Sequence, residues 1–183
     1  AMPASGIHAN GFSLVRHILK TENLKLDSTP QDFTKTLGEV LLTPTEIYSL
    51  DCLALINGLK SDLHAFTHIT GGGIAENTAR VIPSGLRAVY DRSTWALPLE
   101  MAYLAEVGGV PQGDLERTFN CGIGMAAIVD PEAADLTIRS LAARGMKAWA
   151  AGVIEVDPEA NSGATAQLAS QGRSALEGSF AAR

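Results

Sequence analysis

Three short segments of this 183-residue chain combine glycine with side chains that can bind a ligand or carry a proton. In the densest, residues 67–77, a strand pattern ends in three glycines and a helix pattern follows. Glycine lets the backbone approach a ligand closely, and unpaired amides at a helix start bind anions. The segment therefore predicts a phosphate or carboxylate site built from three glycines and their polar neighbours. These residues are His68, Thr70, Gly71, Gly72, Gly73 and Asn77.

The same pattern also fits a flexible turn that binds nothing. Its spacing matches neither a P-loop, which needs a Gly-Lys-Ser/Thr sequence, nor a dinucleotide-binding GxGxxG fingerprint.

The second segment, residues 5–11, is a run of small and polar residues that predicts a loop. It contains His8 and Asn10. A histidine in such a loop could orient a phosphate or move a proton near neutral pH. An exposed histidine without a function is the alternative.

The third segment, residues 117–125, contains Asn120 and Cys121 and has glycine at alternate positions, Gly122 and Gly124, of a predicted strand. One face of that strand then has no side chains there, so something packs closely against it. The pattern does not decide between a neighbouring part of the protein and a ligand.

Composition excludes several classes of function. The formal net charge of -6 argues against a nucleic-acid surface, which normally needs a basic patch. No apolar run reaches the ~18 residues of a membrane span, and no signal peptide is visible, so we expect a cytoplasmic protein that contacts neither nucleic acid nor membrane. Cys52 and Cys121 lack zinc-site or paired spacing, so we expect no metal site and two reduced thiols. Because a dense motif follows the opening Ala1-Met2-Pro3 at once, we expect a fragment or excised domain.

The elements that must position these segments alternate between helix and strand, but without the long buried strands of a doubly wound sheet. Hydrophobic periodicity predicts strands at 63–69, 86–90, 122–129 and 147–156, and helices from Ser13, from Thr29-Pro30, and over 47–59, 98–107 and 130–144. We therefore predict an α/β (α+β) fold, a mixed or antiparallel sheet with helices packed on it, over residues 1–157. In particular, the unit from 122 to 156 predicts strand, helix and strand in one sheet.

Residues 158–183 are rich in Ala, Ser, Gly and Gln, with few large apolar side chains. Such a segment buries too little surface to offset its ordering entropy. It predicts a flexible tail with little effect on stability, or alternatively a helix from Ala164 to Leu176.

Taken together, the three segments resemble the phosphoribosylformylglycinamidine cyclo-ligase family, also called aminoimidazole ribonucleotide synthetases. Residues 5–16, SGIHANGFSLVR, are similar to the family pattern SGxHSNGxSLVR. Residues 68–77 resemble its HITGGGxxEN pattern, and 118–125 resemble its TFNxGxGM pattern. The motifs occur in the family's order, and the resemblance covers about residues 3 to 156. One departure is Ala9, where the family usually has serine.

The resemblance implies the C-terminal, substrate-side half of a two-half enzyme of purine biosynthesis. The reaction converts formylglycinamidine ribonucleotide and ATP to aminoimidazole ribonucleotide, ADP and phosphate. ATP and Mg²⁺ would be bound mostly by an N-terminal half, not by this chain alone, so we expect this chain alone to be inactive. The expected partners are the phosphorylated substrate and that N-terminal half, within a homodimer of the full-length enzyme.

The resemblance also suggests roles for the residues of the motifs. His8 and His68 become the catalytic candidates. The substrate-binding candidates are the polar residues and glycines of the three segments. They are Asn10, Thr70, Gly71, Gly72, Gly73, Asn77 and Asn120. The ribose phosphate is expected at the glycine turn.

Three alternatives stay open. The chain could be a non-catalytic module that binds a phosphorylated ligand. It could be a domain of a related two-half ATP-using enzyme, such as formylglycinamidine synthetase, selenophosphate synthetase or thiamine-phosphate kinase, because fold alone does not separate them. It could also be a structural domain in which the glycine turn serves packing.

Overall fold

The computed structural model describes residues 1–160 and 174–183, which form an α+β fold. Helices and strands alternate along much of the chain. The helices of the described residues are α1 (Phe12–Thr21), α2 (Leu37–Leu41), α3 (Ser49–Leu59), α4 (Gly73–Ala79), α5 (Leu99–Val107), α6 (Gln112–Thr118) and α7 (Ala134–Ala142). The strands are β1 (Met2–Pro3), β2 (Leu63–His68), β3 (Leu86–Asp91), β4 (Ile123–Val129), β5 (Gly152–Val156) and β6 (Ser174–Glu177).

The first sheet has the strand order β1-β4-β2, and both of its pairings are antiparallel. The central strand β4 is the most apolar, as a strand with neighbours on both sides requires. Its register places His68, the last residue of β2, opposite Met125. Pro3 of β1 lies opposite Ile123. The start of β4 is therefore flanked by the N-terminal segment on one side and by the end of β2 on the other.

The second sheet has the order β5-β3-β6, with β5 antiparallel and β6 parallel to β3. The predicted fold class is correct, because both sheets are antiparallel or mixed and helices pack on them. The expectation that residues 122–156 form one sheet is wrong. The strands β4 and β5 belong to different sheets, because each pairs with a partner distant in sequence.

Two apolar clusters form the core. The larger one includes Ile18 of α1, Met101 and Leu104 of α5, and Phe119, all nearly inaccessible to solvent. The smaller one lies where α3 and α7 pack, and it includes Tyr48. Cys52 and Cys121 are both free thiols, as expected. In the described part of the chain, no helix is long and apolar enough to span a bilayer.

One predicted helix is wrong. The segment that follows Thr29-Pro30 has no regular structure, and the helix begins only at Leu37. The reason is a stronger start signal further along. Thr36 and Glu39 form a capping box, in which each side chain binds the other residue's backbone amide.

The C-terminal residues also differ from expectation. Residues 174–183 are not a flexible tail, because β6 pairs with β3 and Ser174 is buried. Arg92 donates to the carbonyl oxygens of Leu176 and Gly178, and the Phe180 ring packs edge-on against Trp95. Composition missed this because strand pairing uses backbone groups, which every residue carries. Residues 161–173, and with them most of the alternative helix 164–176, lie outside the described residues.

We predict that the docked C-terminus contributes to stability through Phe180. Replacing this half-buried ring by alanine should lower the free energy of unfolding by about 1–3 kcal/mol, less than the loss for a fully buried phenylalanine. Ser179→Ala, at the exposed neighbouring position, is the matched control and should change it by less than about 0.5 kcal/mol. Urea denaturation measures both. Equal stability of the two variants would mean that the segment is not docked in solution.

Candidate functional site

All three sequence motifs meet at the start of β4, together with a loop that the sequence did not single out. His8, from the loop before α1, and His68, at the end of β2, both lie near the Tyr48 ring. The centroid of that ring is 6.4 Å from the His8 ring and 6.1 Å from the His68 ring. The Tyr48 hydroxyl donates to the carbonyl oxygen of Pro3 at 2.6 Å. The structure thus brings both catalytic candidates together around one buried tyrosine.

Tyr48 occupies the space that Gly124 leaves open. A Cβ at position 124 would overlap the tyrosine hydroxyl and would lie 2.9 Å from Cε1 of His8. At Gly122 the close neighbours are Pro98, 3.0 Å from such a Cβ, and Trp95. The alternating glycines therefore make room for the protein's own side chains. The question that the sequence left open at this strand is settled in favour of packing.

His8 is held in an unusual conformation. Its φ is +63°, a left-handed backbone conformation that only a few per cent of non-glycine residues adopt. The ring is buried, with 6% of the residue exposed, and its Nε2 accepts a hydrogen bond from the Ser5 amide at 3.1 Å. Nδ1 is buried without a hydrogen-bond partner among the described residues. Burial, reinforced by nearby His68 and opposed by Glu46, holds the pKa of His8 below its usual value.

Asn120 has a structural role, because it connects the loop that carries His8 to the start of β4. It is 1% exposed, and its amide nitrogen donates to the carbonyl oxygens of Gly6 at 2.9 Å and Ile7 at 3.3 Å. Its side-chain oxygen accepts from the Gly122 amide at 2.9 Å. Both the nitrogen and the oxygen of the side-chain amide are therefore hydrogen-bonded within the protein. The geometry therefore assigns Asn120 to positioning the His8 loop, and it does not support the predicted contact with substrate.

Asn77 has a similar structural role in the glycine turn. Its amide nitrogen donates to the carbonyl oxygens of Thr70, Gly71 and Gly73, at 3.2, 3.2 and 2.8 Å. Its oxygen accepts from the Thr70 hydroxyl at 3.1 Å and from Arg80. The polar side chains of Thr70 and Asn77 are thus engaged with each other and with the turn, which leaves both poorly placed to bind substrate.

The predicted anion site at the glycine triplet is not supported. The Gly72 amide donates to the carbonyl oxygen of Arg117, and the Gly73 amide donates to that of Thr70, both at 3.1 Å. In addition, the Glu76 carboxylate lies against Gly72, where a Cβ would overlap it. The Gly72 and Gly73 amides are therefore already hydrogen-bonded, and the Glu76 carboxylate already places a negative charge at the start of the helix. A phosphate there would meet this negative charge and would find neither of these two amides free.

The predicted residues that remain open to a ligand form a smaller set on one surface. His68 and Gly71 are exposed and Asn10 is partly exposed. The side-chain oxygen of Asn10 lies 3.8 Å from the position of a Cβ on Gly71, so the first and second motifs adjoin here. His8 is buried, and its ring also lies near Tyr48. In the described part of the chain, no three His, Cys, Asp or Glu side chains could together hold a metal ion.

Tyr48 is the residue that sequence reasoning missed. It lies in the irregular segment before α3 and precedes a helix that is apolar on most sides. A lone tyrosine there is typical of core packing. The only signal in the sequence was indirect: Gly124 indicated a close neighbour on its face of the strand, but the pattern did not say what that neighbour is.

The fold and this surface define a small α+β domain with two histidines beside a glycine-built turn. A family described as AIR synthase related protein, C-terminal domain, matches residues 1–163, and the chain belongs to that family. It is also similar to a protein of Streptomyces fradiae named "Putative phosphoribosylformylglycinamidine cyclo-ligase". The two are 51% identical over 155 residues, which are 84% of each chain.

We predict that the glycines of the turn differ sharply in their tolerance of a methyl group. At Gly73 a Cβ would overlap the backbone carbonyl of Glu116, which cannot move aside, and φ is +70°. At Gly72, φ is +97° but the obstacle is the flexible end of the Glu76 side chain. Gly73→Ala should therefore lower the free energy of unfolding by several kcal/mol, and Gly72→Ala by about 1–2 kcal/mol.

Gly113 in α6 is the matched control, because nothing lies within 4 Å of its Cβ position. Gly113→Ala should be neutral or stabilising by up to about 1 kcal/mol. Chemical denaturation of the three variants tests the order. Equal losses at positions 72 and 73 would contradict this account of the turn.

We also predict a specific pH dependence of stability from His8. Its native pKa is lowered, so below about pH 6.5 the unfolded chain takes up a proton that the native state resists. Stability should therefore fall as the pH drops from about 6.5 towards the native pKa, by up to about 1.4 kcal/mol per pH unit.

His8→Gln should remove this contribution, so the difference in unfolding free energy between parent and variant should shrink on acidification. Because all other titrating groups are common to both proteins, that difference isolates His8. His17→Gln, on the exposed face of α1, is the control. A constant difference from pH 7.5 to 5 would show that His8 protonates freely in the native state.

Proposed function

We propose that this chain supplies the substrate-side half of an ATP-dependent phosphoribosylformylglycinamidine cyclo-ligase in the cytoplasm. The reaction closes formylglycinamidine ribonucleotide to aminoimidazole ribonucleotide in purine biosynthesis. The observation that carries this proposal is the family match over residues 1–163, which includes all three motifs. The identity of 51% to a protein named for this activity adds to it.

In this proposal the substrate lies against the surface formed by Asn10, His68 and Gly71. These groups are accessible, and they offer an amide, an imidazole and a backbone without a side chain. A ring closure of this kind needs the two reacting ends of one molecule held together, so most of the catalysis can come from positioning and from fixed dipoles. Neutral donors and acceptors suit that task, and an activated nucleophile is not required.

ATP supplies the phosphoryl group that activates the formyl oxygen. The described residues contain no group of three or more acidic, histidine or cysteine side chains suited to a metal ion. We propose instead that an N-terminal half binds ATP and Mg²⁺, that the two halves close over the substrate, and that the assembled enzyme is a homodimer. Cyclo-ligase turnover then requires both halves.

The first test is binding of formylglycinamidine ribonucleotide to this chain, measured by calorimetry. We expect saturable binding that weakens about threefold to tenfold in His68→Ala and in Asn10→Ala, as for loss of one hydrogen bond each. His17→Ala should bind like the parent. Equal weakening in all three variants, or none in any, would place the ligand elsewhere.

The second test is turnover. ATP-dependent formation of aminoimidazole ribonucleotide should be absent with the chain alone and should appear when the ATP-binding half of a cyclo-ligase is added. Binding without turnover in that mixture would favour a non-catalytic module for a phosphorylated ligand.

A further inference from the structure

The protonation state of His8 is determined by its hydrogen bonding. The Ser5 amide donates to Nε2 at 3.1 Å, so Nε2 must carry a lone pair. A neutral imidazole with an accepting Nε2 carries its single proton on Nδ1. A doubly protonated ring would direct an N–H at the Ser5 N–H. The backbone of the loop therefore selects one tautomer and disfavours the charged form.

Tyr48 fixes the ring from the side. Its own position is determined by the hydrogen bond to Pro3 and by the space that Gly124 leaves. The side chain is buried, at 4% exposure, and its ring centroid lies within 6.4 Å of that of His8 and 6.1 Å of that of His68. Without it, the His8 ring would lose a packing neighbour and gain access to water.

The loops that carry these residues are also joined to each other. The Ser5 hydroxyl donates to the Pro44 carbonyl oxygen at 2.6 Å, and a Cβ on Gly6 would lie 3.3 Å from Thr43. Any displacement of the segment that carries Tyr48 would therefore also displace the Ser5 amide that binds His8.

We propose that Tyr48 is a positioning residue that keeps His8 as a neutral imidazole with its proton on Nδ1, so that His8 acts as a hydrogen-bond donor and not as a proton shuttle. This refines the role of His8 and rests, for its place in the reaction, on the proposed function. A buried N–H without a partner is costly to leave unbonded. An oxygen of the phosphorylated ligand that accepts from it, once the residues that bury Nδ1 move aside to admit it, would remove that cost.

The charged and titratable groups around His8 agree with a neutral ring. Burial lowers the pKa of His8 most, and nearby His68 on β2 lowers it further. Glu46, on the segment before α3, opposes both. Tyr48 is one of the side chains packed near the ring, so it contributes to this burial.

The test is long-range proton–nitrogen NMR of the protein labelled with ¹⁵N-histidine. The two tautomers differ in which ring nitrogen carries the pyridine-like signal, and this can be read without ligand or activity. For the parent we expect His8 with a protonated Nδ1 and a pyridine-like Nε2, unchanged from pH 7.5 to 6.5. Ribose 5-phosphate, added as a probe, should shift the Nδ1 proton signal.

Two variants separate positioning from general packing. In Tyr48→Leu the His8 signals should move towards a mixture of tautomers, and the midpoint of its titration should rise by about half a pH unit or more. Tyr48→Phe keeps the ring, loses the bond to Pro3, and should show a smaller rise. Tyr103→Phe, a tyrosine that packs on Phe33 away from the site, should leave His8 unchanged.

A parent protein with the proton on Nε2 would overturn the proposal. So would a titration midpoint of His8 that is the same in Tyr48→Phe, Tyr48→Leu and the parent, provided that amide spectra show folded variants. If Tyr48→Leu does not fold, Tyr48→Phe alone decides. A fixed tautomer with no response to ribose 5-phosphate would refute the donor role. Failure of the cyclo-ligase assay would leave the tautomer result intact, so the two proposals fail separately.

Discussion

The buried Asn120 amide is the contact on which the geometry of the site depends. It joins the His8 loop, through two carbonyl oxygens, to the amide of Gly122 just before β4. A buried amide that loses such partners leaves several groups unsatisfied at once, each costing about 1–3 kcal/mol. Cys121, next to it, adopts a left-handed φ of +47° and is fully buried, so the turn has little freedom to relax. The orientation of His8 thus follows from a residue that need not touch the ligand.

The glycine triplet gives a more general lesson about such motifs. Its glycines were expected to bring a ligand close to the backbone, and they do allow a close approach, but to α6. The carbonyl oxygen of Glu116 lies where a side chain at Gly73 would be. The carbonyl oxygen of Arg117 accepts a hydrogen bond from the Gly72 amide, so that amide is not free. Glu76, paired with Arg80, then supplies the negative charge that a helix start favours. A glycine-rich turn therefore predicts that something lies close to the backbone. Only the three-dimensional structure shows whether that neighbour is a ligand or another part of the protein.

Sequence reasoning located most long elements because their periodicity is strong. The strands at 63–69, 86–90 and 122–129 and the helices at 47–59 and 98–107 all exist, with ends shifted by a few residues. It failed where pairing between distant segments decides. The grouping of strands into two sheets, the short β1 and the C-terminal β6 depend on backbone partners that no local pattern reveals.

The candidate site was also predictable only in part, because contacts between distant segments decide the rest. The motifs that contain His8, Asn10 and His68 adjoin in the structure, but residue type could not separate accessible groups from buried ones. Asn10 and Asn120 are the same residue in similar small-residue contexts. One is partly exposed and the other forms three internal hydrogen bonds. Only the tertiary packing of the two loops decides which amide faces solvent.

The C-terminal segment and the glycine turn are both connected to α6, so this helix links regions that are far apart in sequence. Arg92 pairs with Glu116 through two hydrogen bonds of 2.8 Å, in a position that is largely buried. The same guanidinium binds the carbonyl oxygens that end β6. On the other side of α6, the carbonyl of Glu116 packs against Gly73.

The last turn of α6 is therefore held between the docked C-terminus and the turn that follows His68. Because a charged pair in this position is costly to break, the end of α6 is a fixed support for the turn. The rigidity of the surface beside His68 thus depends in part on residues that composition alone would have assigned to a tail.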